Sequence, residues 1–99
     1  MKRVLFAAAL VASFAASADD YVARSGKDSV RLTEGACYAE VLAITPKEIH
    51  ERLHAATATV GGQEFRACWV ESGGFVLIAY ADGDRGRLQV SDFKIEHGV

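Results

Sequence analysis

The pentapeptide His50-Glu51-Arg52-Leu53-His54 has the residue types and the spacing of a zinc hydrolase. Two imidazoles four residues apart share one face of a helix and can bind zinc, and the glutamate can activate a metal-bound water. Glu48, however, places charge where a zinc protease buries its motif helix, and His97, near the end of the chain, is the only other histidine. We therefore interpret His50 and His54 as solvent-facing side chains and weak metal candidates, and we predict no catalytic residue and no cofactor.

The segment Asp82-Gly83-Asp84-Arg85-Gly86 has oxygen ligands at alternate positions, as the start of a calcium-binding loop does. The pattern then fails, because Phe93 stands where an EF-hand has its bidentate glutamate. We predict instead a hairpin turn whose aspartates bond the turn backbone. Its side chains Asp82, Asp84 and Arg85 form a candidate recognition surface.

The chain has two cysteines, Cys37 and Cys68. They lack C-x-x-C spacing, and no histidine lies near either in sequence, so we predict a structural disulfide rather than a metal or redox pair. Closing a loop of about 32 residues stabilises a fold by roughly 3.5–4 kcal/mol in the chain-entropy model. Trp69, the only tryptophan, directly follows Cys68, and we expect its indole to pack against the disulfide.

The first residues of the chain indicate the compartment in which that disulfide forms. A basic pair at positions 2 and 3 precedes the apolar run Val4–Ala16, and Ala16-Ser17-Ala18 is a small-residue cleavage signal. We predict a signal peptide over residues 1–18, cleaved between Ala18 and Asp19, and a periplasmic or secreted product. The apolar run is shorter than the about 20 residues that cross a bilayer, so we predict no permanent membrane anchor.

Removal of the leader leaves 81 residues, with nine basic and thirteen acidic side chains and a net charge of −4. Without a basic cluster, this surface is unsuited to nucleic acid, whose phosphates are bound by concentrated lysine and arginine. The same charge balance argues against an anionic membrane surface. The length suits one small domain, which we place at residues 28–99 after a flexible arm at residues 19–27.

A capping pattern predicts one helix in this domain. Thr45 can serve as N-cap, Pro46 as the first helical residue and Glu48 as the third, which completes a capping box. The helix is predicted to run to His54 or Ala56, with Ile49 and Leu53 on its buried face. The preceding segment, residues 37–44, suits either one or two helical turns or an extended crossing.

After Ala56 the hydrophobic period changes to two. Short glycine-rich connections, such as Gly61-Gly62 and Ser72-Gly73-Gly74, require antiparallel neighbours. We therefore predict an α+β fold, in which a small antiparallel β-meander of three to five strands carries one packed helix and is stapled by one disulfide. A single helix covers one sheet face, so the other face needs the arm, the crossing segment or another molecule. The predicted strands are Asp28–Leu32, Thr57–Val60, Gln63–Glu71, Phe75–Tyr80 and Arg87–Val90.

The order of three short motifs is also informative. Cys37 is followed by Phe65-Arg66-Ala67-Cys68-Trp69 and then by Tyr80-Ala81-Asp82-Gly83-Asp84-Arg85-Gly86. In this order the chain resembles small exported proteins of unknown function from Gram-negative bacteria and their phages, which share a Cys…Cys-Trp pair and an acidic D-G-D turn. The resemblance implies a periplasmic or phage-associated product with one disulfide, and it implies no activity.

These observations favour a non-enzymatic binding or interaction module with an unknown protein partner in the periplasm. The alternatives are a zinc-binding hydrolase that uses His50, Glu51 and His54, an inhibitor of a cell-wall hydrolase, and a structural or assembly factor. The inhibitor hypothesis depends on Ser72-Gly73-Gly74-Phe75-Val76, which is close to the Ser-Gly-x-x-Tyr loop of lysozyme inhibitors but has valine in place of the tyrosine.

Overall fold

The computed structural model describes residues 19–97 and shows them as an antiparallel sheet of seven strands. The predicted signal peptide, residues 1–18, lies outside the described residues. A one-turn helix, α1 (Ala39–Leu42), and the 3-10 turn Lys47–Arg52 separate the second and third strands, and the 3-10 turn Val90–Asp92 follows the sixth. The strands are β1 (Asp19–Ser25), β2 (Asp28–Ala36), β3 (His54–Val60), β4 (Gln63–Ser72), β5 (Phe75–Tyr80), β6 (Arg85–Gln89) and β7 (Lys94–His97).

The predicted α+β class, a meander of three to five strands with one packed helix, is wrong. The protein is mostly β: 60% of its described residues lie in strands and 17% in helical segments. The strand order is β6-β5-β4-β3-β2-β1-β7, so the first six strands form a meander and the last returns to pair with the first. The Gly61-Gly62 hairpin and the strand Phe75–Tyr80 were predicted with the bounds that the structure shows, whereas the second glycine-rich turn is one residue shorter than predicted because Ser72 belongs to β4.

The sheet is curled, and the connection between its two edge strands shows why it must be. Six spacings of about 4.8 Å would separate the edges of a flat seven-stranded sheet by roughly 29 Å. The chain passes from Gln89 on one edge to Lys94 on the other in five residue steps, which reach at most about 18 Å. The two edges must therefore approach each other, and one face of the sheet becomes concave.

Residues 19–27, predicted to be a flexible arm, form β1 over most of their length, with a hydrogen-bonded strand on each side. The charged side chains of this segment, which led to its interpretation as an arm, form ion pairs with residues of other strands. Arg24 lies 2.7 Å from Glu96, and Arg31 lies 3.1 Å from Asp20. Arg24 and Glu96 are 72 residues apart in sequence, so no local pattern indicates that pairing.

The helix predicted to begin after the N-cap Thr45 and to run to His54 or Ala56 is also wrong. Only the six residues Lys47–Arg52 are helical, as a 3-10 turn without a side-chain cap, and β3 begins at His54. The Thr45 hydroxyl donates back to the carbonyl of Val41 at 3.2 Å instead of capping the next turn. Strand β3 pairs along its length with neighbours on both sides, and this pairing outweighs the weak propensity of a short helix.

The main core lies on the concave face. Leu32, Val76 and Ile78 are its large buried side chains, each about 3% exposed. Ala56 and Ala67 sit directly opposite each other in the middle of the sheet and are almost fully buried. Small side chains at this position leave room for strands β3 and β4 to bend toward the interior.

A second cluster covers part of the convex face. Val41 of α1 and Leu53 pack against Cys68, which is fully buried in β4. The predicted disulfide between Cys37 and Cys68 is present, and it joins the start of this crossing segment to the centre of the sheet. The sequence predicted that one face of the sheet would need an additional cover. In the structure the crossing segment covers part of the convex face, and the sheet curls around the apolar side chains of the concave face.

No helix in residues 19–97 has the length and apolar character that a membrane crossing requires.

Candidate functional site

One end of the concave face opens into a cavity of about 340 Å³. We call this cavity, with the side chains that line it, the aromatic mouth. Its walls come from both sides of the curled sheet, since β1 and β2 contribute one part and β4, β5 and the turn after β6 contribute the other. The lining residues are Tyr21, Leu32, Glu34, Trp69, Glu71, Val76, Val90 and Phe93.

Trp69 is held in the wall of the mouth by a specific contact. Its indole Nε1–H donates to the carbonyl of Thr33 at 2.8 Å, and its ring centroid lies 5.8 Å from that of His54. The prediction that Trp69 packs against the disulfide is wrong. Successive side chains of a strand point to opposite faces, so Cys68 faces the convex cluster while Trp69 faces the concave core.

The other two aromatic residues of the mouth come from opposite ends of the described chain, Tyr21 from its first strand and Phe93 from the segment before its last. Tyr21 lies on β1 and is 42% exposed. Phe93 follows the 3-10 turn, where its N–H donates to the Val90 carbonyl at 3.1 Å. The Val90 N–H in turn donates to the carbonyl of Gly74 at 3.0 Å, which fastens the turn to the β4–β5 hairpin. Backbone hydrogen bonds therefore position this wall of the mouth.

Two carboxylates, Glu34 and Glu71, are the charged groups of the mouth. Glu34 lies where the pairing of β2 with β3 shifts register, and the hydroxyl of Thr33 stabilises this irregularity by donating to the Ala55 carbonyl at 3.0 Å. Within the described part of the chain, neither glutamate forms an ion pair. Both carboxylates are exposed to solvent and can accept a partner from outside.

The concave face has a second cavity of about 340 Å³, which differs in chemistry. It lies where β1 turns into β2, and its lining includes Arg24, Asp28 and Asp92 but no aromatic side chain. The Arg24 side chain is bound to Glu96 on the convex face, Asp28 accepts a hydrogen bond from the Gly61 N–H at 3.1 Å, and Asp92 accepts one from the Gln89 N–H at 3.2 Å. These three charged groups are thus engaged within the fold, in contrast to those of the aromatic mouth.

The structure does not arrange His50, Glu51 and His54 as a zinc site. His50 lies in the 3-10 turn, where its Nε2 is 2.9 Å from the Thr45 carbonyl, while His54 is the first residue of β3 and lies against Trp69. The expected solvent-facing orientation is wrong, since both rings are half-buried. Residues 19–97 contain no group of three or more candidate metal ligands.

The hairpin turn predicted at residues 82–86 is present but ends at Asp84, because Arg85 and Gly86 belong to β6. The Asp84 N–H donates to Oδ1 of Asp82 at 2.9 Å, and the Tyr80 N–H donates to the Asp84 carbonyl at 2.8 Å. Burial raises the pKa of the Tyr80 phenol, and the charges of the two aspartates raise it further. The candidate recognition residues Asp82 and Arg85 line a smaller cavity of about 180 Å³, so they lie apart from the aromatic mouth.

Most residues of the mouth were not predicted from the sequence. Tyr21 lay in the segment interpreted as an arm, and Glu34 and Glu71 carry no recognisable motif. The one available signal was the position of Trp69 directly after Cys68, because neighbouring side chains of a strand point to opposite faces. Comparison of the chain with protein-family models, with curated proteins and with solved structures finds no match, so the functional argument depends on the site itself.

Proposed function

We propose that this protein is a non-enzymatic binding module that acts in the periplasm or after secretion and holds a protein partner at the aromatic mouth. The observation that carries the proposal is the convergence of Tyr21, Trp69 and Phe93 at one open cavity. Tyrosine and tryptophan are prominent among the residues that dominate binding energy at protein interfaces. The signal sequence and the disulfide support an oxidising compartment.

Exposed apolar side chains around the cavity favour a protein as the partner. Tyr21 is 42% exposed, Val90 is 41% exposed, and Ile95, which pairs with Tyr21 in the sheet, is 57% exposed. A group of exposed apolar side chains on a soluble domain marks an interaction surface. A partner that covers these three residues would bury apolar area around the cavity as well as inside it.

Affinity capture with paired variants tests this proposal. The wild-type protein should retain a partner at stoichiometric levels from an extract of the cells that export it, and the double variant Tyr21→Ser/Val90→Ser should lose that partner. Leu77→Ser is the matched control, because Leu77 is 39% exposed but lies on the convex face. Capture that survives the double variant, or that fails equally with Leu77→Ser, would remove the mouth from the proposed function.

A further inference from the structure

The lining of the aromatic mouth combines two features that attract positive charge. Aromatic rings carry a negative electrostatic face and bind cations within about 6 Å of their centroids. Three rings, those of Tyr21, Trp69 and Phe93, line this cavity together with the carboxylates of Glu34 and Glu71. Among residues 19–97, no lysine, arginine or histidine lines the cavity to neutralise them.

The ion pairs elsewhere in the described residues support the view that the carboxylates of the mouth are available to a cation. Arg24, Arg31 and Arg66 each lie within 3.3 Å of a carboxylate of the same chain. Glu34 and Glu71 take part in none of these pairs. A cation that enters the mouth would therefore find carboxylates that are not already satisfied.

We propose that the aromatic mouth binds a lysine or arginine side chain of the partner protein, with its charged end between Glu34 and Glu71 and its aliphatic stem against Trp69. This inference rests on the proposed function, for which it names the chemistry of the partner. Lysine and arginine suit the site because their apolar stems pack on apolar surface while the charged ends stay near polar groups. The cavity volume of about 340 Å³ lies at the lower end of ligand pockets, which suits one side chain.

The apolar rim favours a side chain on a polypeptide over a free amine. A small alkylammonium ion would fill the cavity but leave the exposed parts of Tyr21, Val90 and Ile95 in water. A polypeptide that presents the basic residue would cover these side chains with its neighbouring residues. The negative net charge of the chain also favours association with a basic partner surface.

Trp69 provides a direct readout, because it is the only tryptophan of the chain and lies in the wall of the cavity. The protein, purified with its disulfide intact, is titrated with an acetylated and amidated pentapeptide that has one central lysine between alanines. The same peptide with norleucine, with glutamate or with arginine at the centre, and free pentylammonium, are titrated in parallel. We expect the lysine and arginine peptides to shift the tryptophan emission and to bind about tenfold more tightly than the norleucine peptide.

Variants of the carboxylates test the placement of the charge. Glu34→Gln/Glu71→Gln should weaken binding of the lysine peptide about tenfold, because two exposed ion pairs are lost, and should leave norleucine binding unchanged. Glu48→Gln/Glu51→Gln is the matched control. It removes the same net charge from exposed positions of the 3-10 turn, outside the mouth, and should change binding less than twofold.

The outcomes separate this inference from the proposed function. Equal binding of the lysine and norleucine peptides, with the emission shift retained, overturns the cation site and leaves the mouth as an apolar binding site. Tighter binding of the glutamate peptide, or equal losses in the two carboxylate variants, overturns the inference as well. Pentylammonium binding as tightly as the lysine peptide would show that the site recognises a small amine, and absence of any response to the basic peptides overturns the whole assignment.

Discussion

The two faces of the curled sheet are covered by different means. On the convex face, the crossing segment with Val41 and Leu53 lies over Cys68 and is tied to the sheet by the disulfide. On the concave face no separate element of residues 19–97 is added, because the sheet folds over its own apolar side chains, among them Leu32 and Ile78. A covalent bond therefore secures one face, and curvature alone secures the other.

This difference teaches where a small domain can place a binding site. The convex cluster is filled by the crossing segment, which must stay in place for the fold to hold. The concave face is closed in its middle by alanines and large aliphatic side chains, but its ends stay open where the strands diverge. One of those ends is the aromatic mouth, so a partner can bind there without displacing any part of the fold.

The largest expected effect comes from breaking the bond that secures the convex face. Cys37→Ala/Cys68→Ala should lower the free energy of unfolding by roughly 3.5–4 kcal/mol, since the cross-link closes a loop with a sequence separation of 31 residues. Urea unfolding followed by circular dichroism measures this loss. Wild-type protein under reducing conditions is the control that changes no side chain, and an unfolding midpoint that is equal with and without the bond would contradict the comparison.

The next effect tests the concave face through two neighbouring residues of β5. Ile78→Ala should cost about 3 kcal/mol, because it removes a large side chain that is 3% exposed and leaves a cavity in the core. Leu77→Ala, at a position 39% exposed on the convex face, should cost less than about 1 kcal/mol. The comparison is made by urea unfolding of both variants. Similar losses for the two variants would show that the concave cluster is not the main core.

Structure that depends on neighbouring residues was predicted from the sequence, and structure that depends on distant residues was not. The hairpin at Gly73-Gly74 is set by local chemistry, because both glycines have positive φ angles, of 58° and 85°. The strand Phe75–Tyr80 that follows it was predicted with its observed bounds for the same reason. β1, in contrast, pairs on one side with its sequence neighbour β2 and on the other with β7 from the far end of the chain, and no local pattern records the second pairing.

The candidate site was less predictable than the fold. The mouth brings together Tyr21, Trp69 and Phe93 from strands and turns that are far apart in sequence, and only the curl of the sheet makes them neighbours. The His50–His54 pentapeptide showed the opposite failure. Its spacing is meaningful on a helix, but here a strand begins at its last residue.

A smaller effect concerns how the mouth is held open. Trp69→Phe should lower the free energy of unfolding by about 1–2 kcal/mol, because it removes the indole N–H and leaves the Thr33 carbonyl without that donor. Phe65→Leu is a suitable control on the same strand and the same face, since Phe65 is 38% exposed. Thermal unfolding of both variants gives the result, and equal stability of Trp69→Phe and the wild type would show that this bond does not fix the ring.

The smallest expected effect lies on the part of the convex face that the crossing segment leaves open. Hydrogen bonds from the Arg24 guanidinium, at 2.7–3.0 Å, hold the pKa of Glu96 below its ordinary value of 4.5. A carboxyl group whose pKa is lower in the folded than in the unfolded state stabilises the fold at pH values above its unfolded-state pKa. That stabilisation is lost as the pH falls through its folded-state pKa. The stability difference between wild type and Glu96→Gln should therefore be present at pH 7 and shrink below pH 4.5.

Urea midpoints of the wild type and Glu96→Gln at pH 7 and pH 3 measure that difference, and Glu48→Gln serves as the control because Glu48 is exposed and forms no ion pair within residues 19–97. The effect should also fall with added salt, since both partners of the pair are partly exposed. A difference that persists unchanged at pH 3 would mean that Glu96 contributes through packing. In that case packing would stabilise the open part of the convex face, as it does the part under the crossing segment. The two parts would then not differ in the way proposed, one tied by a disulfide and the other held by a solvated ion pair.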